Sequence, residues 1–325
     1  MINAAIFGLG RWGRTLVESV QGKSNVIRFA AGIVRTPGKH REFADSMGFL
    51  VNGDYEAVLA DPSIDAVVLA TRNSEHAGQV LRAAAARKHV QVEKPFTLTR
   101  ESARAVAKAC AEAHVTLAVA FNRRFRPAVI DMKSAVAKGR IGDVLHVECQ
   151  FSGPTFLRTP ADSWRARRDD NPAGGLSPRG IHVLDLMIDL CGEVEAVCAV
   201  SERRAVDIEV DDTTFALLRF ASGVTGYLST IMATGDYWRV NVMGTKGWIE
   251  LPTEHRMVVS DLDRIVEDRS YEPIDIEKAE LEAFARAISG GAPFPVTPAQ
   301  AIHGVAVHEA IAKSAAKEGR WVEVA

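Results

Sequence analysis

Two opposite charges stand side by side where a short apolar run stops. The stretch "HVQVEKPF", residues 89–96, ends in Glu93, Lys94 and Pro95. Proline donates no ladder hydrogen bond and fixes its own backbone, so a strand ends there and a turn begins. In an open α/β sheet the carboxyl ends of strands are where ligands bind. A primary amine held at that edge can give or take a proton in a reaction. Left in solvent, the same pair would be an ordinary surface ion pair with little consequence.

A second pattern supplies the context. In "AIFGLGRWGRTLVESV", Gly8, Gly10 and Gly13 form GxGxxG directly after one apolar run and at the start of a helical one. The first glycine permits a tight turn, the second lets a pyrophosphate approach the backbone, and the third lets helix and strand pack closely. The helix start adds free N–H groups and a positive dipole end, so a dinucleotide is the expected ligand. Arg11 and Trp12, inside the turn, count among the residues expected to touch it. An acid about 20 residues further on would hold the ribose 2′-OH of NAD. Residues 19–41 contain no Asp or Glu, and Arg35 follows the second apolar run, with Lys39 and Arg41 close behind. A guanidinium can pair with a 2′-phosphate that a carboxylate would repel, so NADP is the expected cofactor, with NAD second.

A third pattern lies in "GLSPRGIHVLDLMIDLCG". In a helix from about Gly180, His182, Asp185 and Asp189 share one stripe of an otherwise apolar rod. Buried polar groups need partners. Asp185 can accept from the imidazole and fix its tautomer, or the stripe can be a purely structural hydrogen-bonded layer. No spacing supports metal, and the four cysteines, Cys110, Cys149, Cys191 and Cys198, form no CxxC pair.

The elements that must position these groups fall into two sets. Residues 1–121 alternate apolar runs with amphipathic helical stretches, and strands so uniformly apolar are covered on both faces of a parallel, doubly wound sheet. Residues 122–325 read as a second α/β domain with a large, mostly antiparallel open sheet. There "TTFALLRF", "VTGYLSTIM" and "GDYWRVNVMGTKGWIEL" form a hairpin meander. Adjacent apolar positions in "TFALLRF" suggest that both faces of that sheet are covered, one by helices and the other by a second subunit or by helices of the same chain. The chain has 325 residues, 47% of them hydrophobic, and a net charge of −2; residues 1–122 carry +4 and the remainder −6. No long basic stripe points to nucleic acid, no run approaches the roughly 20 apolar residues of a membrane span, and the N-terminus lacks the basic start of a signal peptide. A cytoplasmic protein is the expectation.

Taken together, "GLGRWG", "ATRNSEHAGQVLRAAAARKHVQVEKPF", "AFNRRFRP", "WRARRDDNPAGG" and "GIHVLDL" resemble the Gfo/Idh/MocA (glucose–fructose oxidoreductase and inositol dehydrogenase) family, in its order and over most of the length. The resemblance implies a Rossmann domain, then an α/β domain whose sheet mediates homodimers or homotetramers. It implies NAD(P)-dependent hydride transfer to or from a secondary alcohol of a sugar, cyclitol or related polyol. Lys94 matches the family's catalytic lysine and His182 its second active-site residue, the two converging on the nicotinamide. Glu93, Thr71, Asn73, His76 and Asn122 match cofactor-lining positions, and Trp164 and Arg165 a pair bordering the substrate pocket, to which Asp185 is added. Arg72 stands where the family has proline, and Pro178 where it usually has a catalytic aspartate. That loss leaves a cofactor-binding sensor, or a redox-assisted lyase or glycosidase holding NAD, as alternatives.

Overall fold

The computed structural model describes residues 1–324, which form two compact units. The first comprises Met1–Thr97, Glu101–Asn122 and Asp275–Ala301. Its strands are β1 (Ile2–Phe7), β2 (Ile27–Ile33), β3 (Leu50–Asn52), β4 (Ala66–Leu69), β5 (His89–Glu93) and β6 (Leu117–Ala120). Between them run α1 (Arg11–Val20), α2 (Arg41–Met47), α3 (Tyr55–Ala60), α4 (His76–Ala85) and α5 (Arg100–Glu112). The strand order is β3-β2-β1-β4-β5-β6 and every pairing is parallel, the doubly wound arrangement expected. Its order reverses between β1 and β4, the switch point at which such sheets bind ligands.

Burial explains the uniformly apolar strands. Ala66, Val67, Val68 and Leu69 of β4 are all at most 1% exposed, because helices cover both faces. Each large apolar side chain buried this way contributes roughly 1.5–3 kcal/mol.

The second unit takes Leu98–Arg100, Arg123–Ile274 and the stretch from Ile302 onward. It contains α6 (Pro127–Ala137), β7 (Val144–Ser152), α7 (Gly180–Cys191), β8 (Val194–Glu202), β9 (Thr213–Phe220) and β10 (Thr225–Ile231). β11 (Tyr237–Gly244), β12 (Gly247–Thr253), β13 (Arg256–Ser260) and β14 (Ile265–Ser270) follow, and α8 (Ile276–Ile288) then belongs to the first unit. The chain closes with α9 (Pro298–Ala315), which spans the boundary at Ala301, and β15 (Val322–Glu323).

Three details depart from the sequence reading. The stretch 275–301 was expected in the second domain, but α8 packs on α1 and β2 of the first. Its buried stripe of Ile276, Leu281 and Phe284 requires a partner surface, and nothing local says which. The meander is also interrupted: the nine-stranded order is β14-β13-β12-β11-β7-β10-β9-β8-β15, with β7 inserted between β10 and β11 and parallel to β10. Turn residues specify neighbours in sequence, whereas β7 arrives from over 70 residues upstream. Finally, β9 alternates: Thr214, Ala216, Leu218 and Phe220 are buried, while Phe215 and Leu217 are 40% and 39% exposed. This chain's helices, α7 among them, cover one face only.

Candidate active site

The glycine turn joins β1 to α1. Gly8 has φ +91°, and a Cβ on it would sit 2.6 Å from the Ala70 carbonyl oxygen; a Cβ on Gly13 would sit 1.9 Å from that of Gly8. These two glycines are required by the protein's own packing. Gly10 is different. Nothing lies within 4 Å of its Cβ position, so the space beside it is open. α1 begins with no side-chain cap and no acid in its first turn. An open backbone and uncapped N–H groups at a positive helix end fit a pyrophosphate. Arg35 lies exposed just beyond β2, with Lys39 and Arg41 also exposed on the segment that follows.

Trp12 and Glu93 find each other. The indole Nε1 donates to Glu93 Oε1 at 2.5 Å, tying the glycine turn to the carboxyl end of β5. Burial pushes the Glu93 carboxyl above its ordinary range, against the opposing pull of Lys94 and the indole N–H. Lys94 is half-buried, and its bond to Pro95 is cis.

The segment before α4 places Thr71, Asn73 and His76. Thr71 donates to Gln79 Oε1 at 2.6 Å, and Asn73 is buried. His76 is 0% exposed, with Nδ1 2.8 Å from the Pro95 carbonyl oxygen. A ring without accessible surface does not line the cofactor, which corrects the expectation. It braces the turn that carries Lys94 instead. Asn122, 2% exposed, donates to Glu277 Oε1 at 3.0 Å, so α8 supplies a partner that the sequence did not reveal.

Burial lowers the His76 pKa to about 4. The folded state therefore takes up its proton later than the unfolded chain, whose imidazole titrates near 6.5. The His76 contribution is fully present above pH 6.5 and lost as pH falls toward 4. Urea denaturation at pH 7.5 and pH 4.5 should show a loss of up to about 3 kcal/mol from this group. In His76→Gln that part of the pH dependence should vanish.

In the second unit, Ser163 caps the short turn holding Trp164 and Arg165, and the Arg165 guanidinium lies 4.3 Å from the centre of the Trp164 ring. His182, on α7, is 5% exposed, its ring 6.1 Å from that of Phe151. Asp185 is 5% exposed. Arg124 binds it bidentately, with Nε and Nη2 each 2.7 Å from one carboxylate oxygen, while Asp189 accepts from Arg124 at 2.9 Å and Lys133 at 2.7 Å. Asp185 and Asp189 of this stripe are thus tied into a buried ion-pair layer. Burial alone would disfavour the charge on Arg124, but the two aspartates outweigh it and raise its pKa. Arg124 was invisible in the sequence, as one of three arginines in "NRRFR" with no spacing to distinguish it.

Residues 2–121 match the family model for "Oxidoreductase family, NAD-binding Rossmann fold", and residues 129–250 the model for the "GFO/IDH/MocA C-terminal domain". The myo-inositol 2-dehydrogenase of Thermotoga maritima is 31% identical over 256 residues, 75% of this chain and 73% of that one. The D-xylose 1-dehydrogenase (NADP(+)) 2 of Haloferax volcanii is 29% identical over 96% of each chain. A solved structure of levoglucosan dehydrogenase in complex with NADH and levoglucosan superposes with a TM-score of 0.87 at 26% identity, covering 99% of both chains. The fold and the glycine turn thus define a nicotinamide-dependent oxidoreductase. More narrowly, the chain belongs to the Gfo/Idh/MocA family. No helix among the described residues is long and apolar enough to cross a membrane.

Proposed function

We propose that this protein transfers hydride between NADP and a secondary alcohol of a sugar, cyclitol or related polyol. Lys94 and His182 are the proton-transfer residues of this reading. The observation that carries it is the Trp12–Glu93 hydrogen bond, which links the dinucleotide turn to the segment bearing Lys94. Relatives named as dehydrogenases of inositol, xylose and levoglucosan support the substrate class.

The bound nicotinamide supplies hydride acceptance or donation. The chain must hold the alcohol and move the hydroxyl proton. Lys94 receives that proton on Nζ, beside a Glu93 carboxylate already engaged by the indole. Pro178 has no ionisable group, so His182 is the proton-transfer group that the second unit offers. Trp164 and Arg165 border the substrate in this reading. Purified protein mixed with NADP+ or NAD+ and a panel of sugars and cyclitols should produce reduced nicotinamide, read at its absorbance band. Dinucleotide binding without turnover on any polyol would favour a sensor instead.

Cofactor choice rests on Arg35 and its basic neighbours. Arg35→Ala should weaken NADP+ binding by about tenfold or more, the loss of one charge-assisted bidentate pair, and leave NAD+ binding within twofold. Fluorescence titration with both reduced cofactors reads this directly; equal effects on the two would discard the 2′-phosphate assignment.

The uncovered sheet face supports a homodimer or homotetramer, and a cytoplasmic setting suits its metabolic chemistry. Val200, Phe215, Leu217 and Tyr227 are neighbours on that face through the β8–β9–β10 register, and Val200 is 47% exposed. Sedimentation velocity should give at least a dimer, shifting to monomer in Phe215→Glu/Leu217→Glu.

A further inference from the structure

The second unit holds a cavity of about 490 Å³. Phe151 and Trp238 form its aromatic wall, and Arg123, Arg179, Glu254 and His255 its polar lining. Its volume lies within the range of small-ligand sites.

Arg179 is the informative member. Its Nη1 donates to the Ser152 carbonyl oxygen at 2.6 Å and its Nε to Thr155 Oγ1 at 3.3 Å, and the guanidinium sits 4.9 Å from the Phe151 ring centre. Gly153 makes room for it: a Cβ there would lie 2.3–2.6 Å from the guanidinium atoms. The side chain is therefore held in place, with no hydrogen bond from Nη2 to the described residues. Its carboxylate partner is weakly committed. Asp236 accepts from Nη1 at 2.8 Å but is 75% exposed, and such pairs are readily exchanged. The lining pairs two guanidiniums, Arg123 and Arg179, with two carboxylates: Glu254 is 2.9 Å from Arg123, and Asp236 is held by Arg179. A guanidinium fixed in orientation, with an open edge and an exposed, exchangeable partner, is built to take a planar carboxylate bidentately. The Phe151 ring, which touches Arg179, also lies 6.1 Å from that of His182, so the cavity adjoins one proposed proton-transfer group.

We propose that this cavity receives the carboxylate of a sugar acid, a uronate or an aldonate, with Arg179 as its binding residue in exchange for Asp236. The assignment deepens the polyol dehydrogenase reading and rests on it for His182.

The test is calorimetric titration of the full-length protein, cofactor present, with D-glucuronate, D-galacturonate and D-gluconate, each against its neutral parent D-glucose, D-galactose or D-glucitol. At least one acid should bind tenfold or more tightly than its parent. Arg179→Gln should abolish that preference, bringing the acid's affinity to that of its neutral parent in the same variant. Gly153→Ala, which only displaces the guanidinium, should do the same without altering the melting temperature by more than a few degrees. No acid preferred over its parent, or a preference that survives both variants, overturns the proposal. Oxidation of neutral polyols without any acid preference leaves the dehydrogenase reading intact and sinks only this site. Acid binding lost in Arg179→Gln, with no alcohol ever oxidised, keeps the site and sinks the dehydrogenase reading.

Discussion

Lys94→Ala is expected to lower kcat by about 10³-fold while dinucleotide affinity stays within a few-fold of the parent. General acid–base catalysis typically contributes 10²–10⁴ to a rate, and the amine at the end of β5 is the first-unit group placed to provide it. Removing the ammonium also takes away a charge that holds the buried Glu93 carboxyl down, so Glu93 becomes harder to ionise. Lys94→Arg separates the two effects. It restores the positive charge beside Glu93, but a guanidinium does not give up its proton in the working pH range. Arginine should therefore rescue cofactor binding and leave turnover as low as in alanine. Steady-state rates over pH 6–10, paired with fluorescence titration of the reduced cofactor, read both quantities. Turnover near the parent's in either variant would remove Lys94 from the chemistry.

The second large effect is structural. Arg124→Met should destabilise the protein by about 3–5 kcal/mol, because it leaves the buried Asp185 carboxylate and part of Asp189 without their cation. The pair is 3% and 5% exposed, so water does not compensate. Breaking a buried ion pair on one side costs far more than replacing both partners. The double variant Arg124→Met/Asp185→Leu should accordingly recover most of the loss. Urea denaturation of the single and double variants measures this, with Asp189 still held by Lys133 in each. A single variant within 1 kcal/mol of the parent would show that the α7 stripe is not anchored by this arginine. Because α7 also carries His182, the single variant should lose activity before it loses its fold.

Legibility differed by element. β1, the glycine turn and α1 were readable because their determinants are local: an apolar run, three glycines at fixed spacing and a helix start. The two-sided burial of β4 and β5 was readable from uninterrupted apolar runs. His76 was misplaced because a motif records that a residue is needed without recording which way its ring turns; only coordinates show it spent on the Pro95 carbonyl. The partner of Asp185 was illegible for a related reason. A polar stripe on an apolar helix announces that partners exist, but Arg124 lies 61 residues away in sequence. The interrupted meander and the migration of α8 belong to the same class, since both depend on which surface a segment covers.

By itself, then, the amino-acid order determined the doubly wound first unit, a dinucleotide turn and a Lys94 held where a strand must stop. Those features are set by backbone sterics and short-period hydrophobic patterning, which act over a few residues. Tertiary structure alone decided that Trp12 would clasp Glu93, that Asp185 would be neutralised by Arg124, and that Arg179 would face a cavity with one edge open. Each is a pairing between distant segments, chosen by the need to compensate or orient a buried or half-buried polar group, and no local pattern encodes the partner.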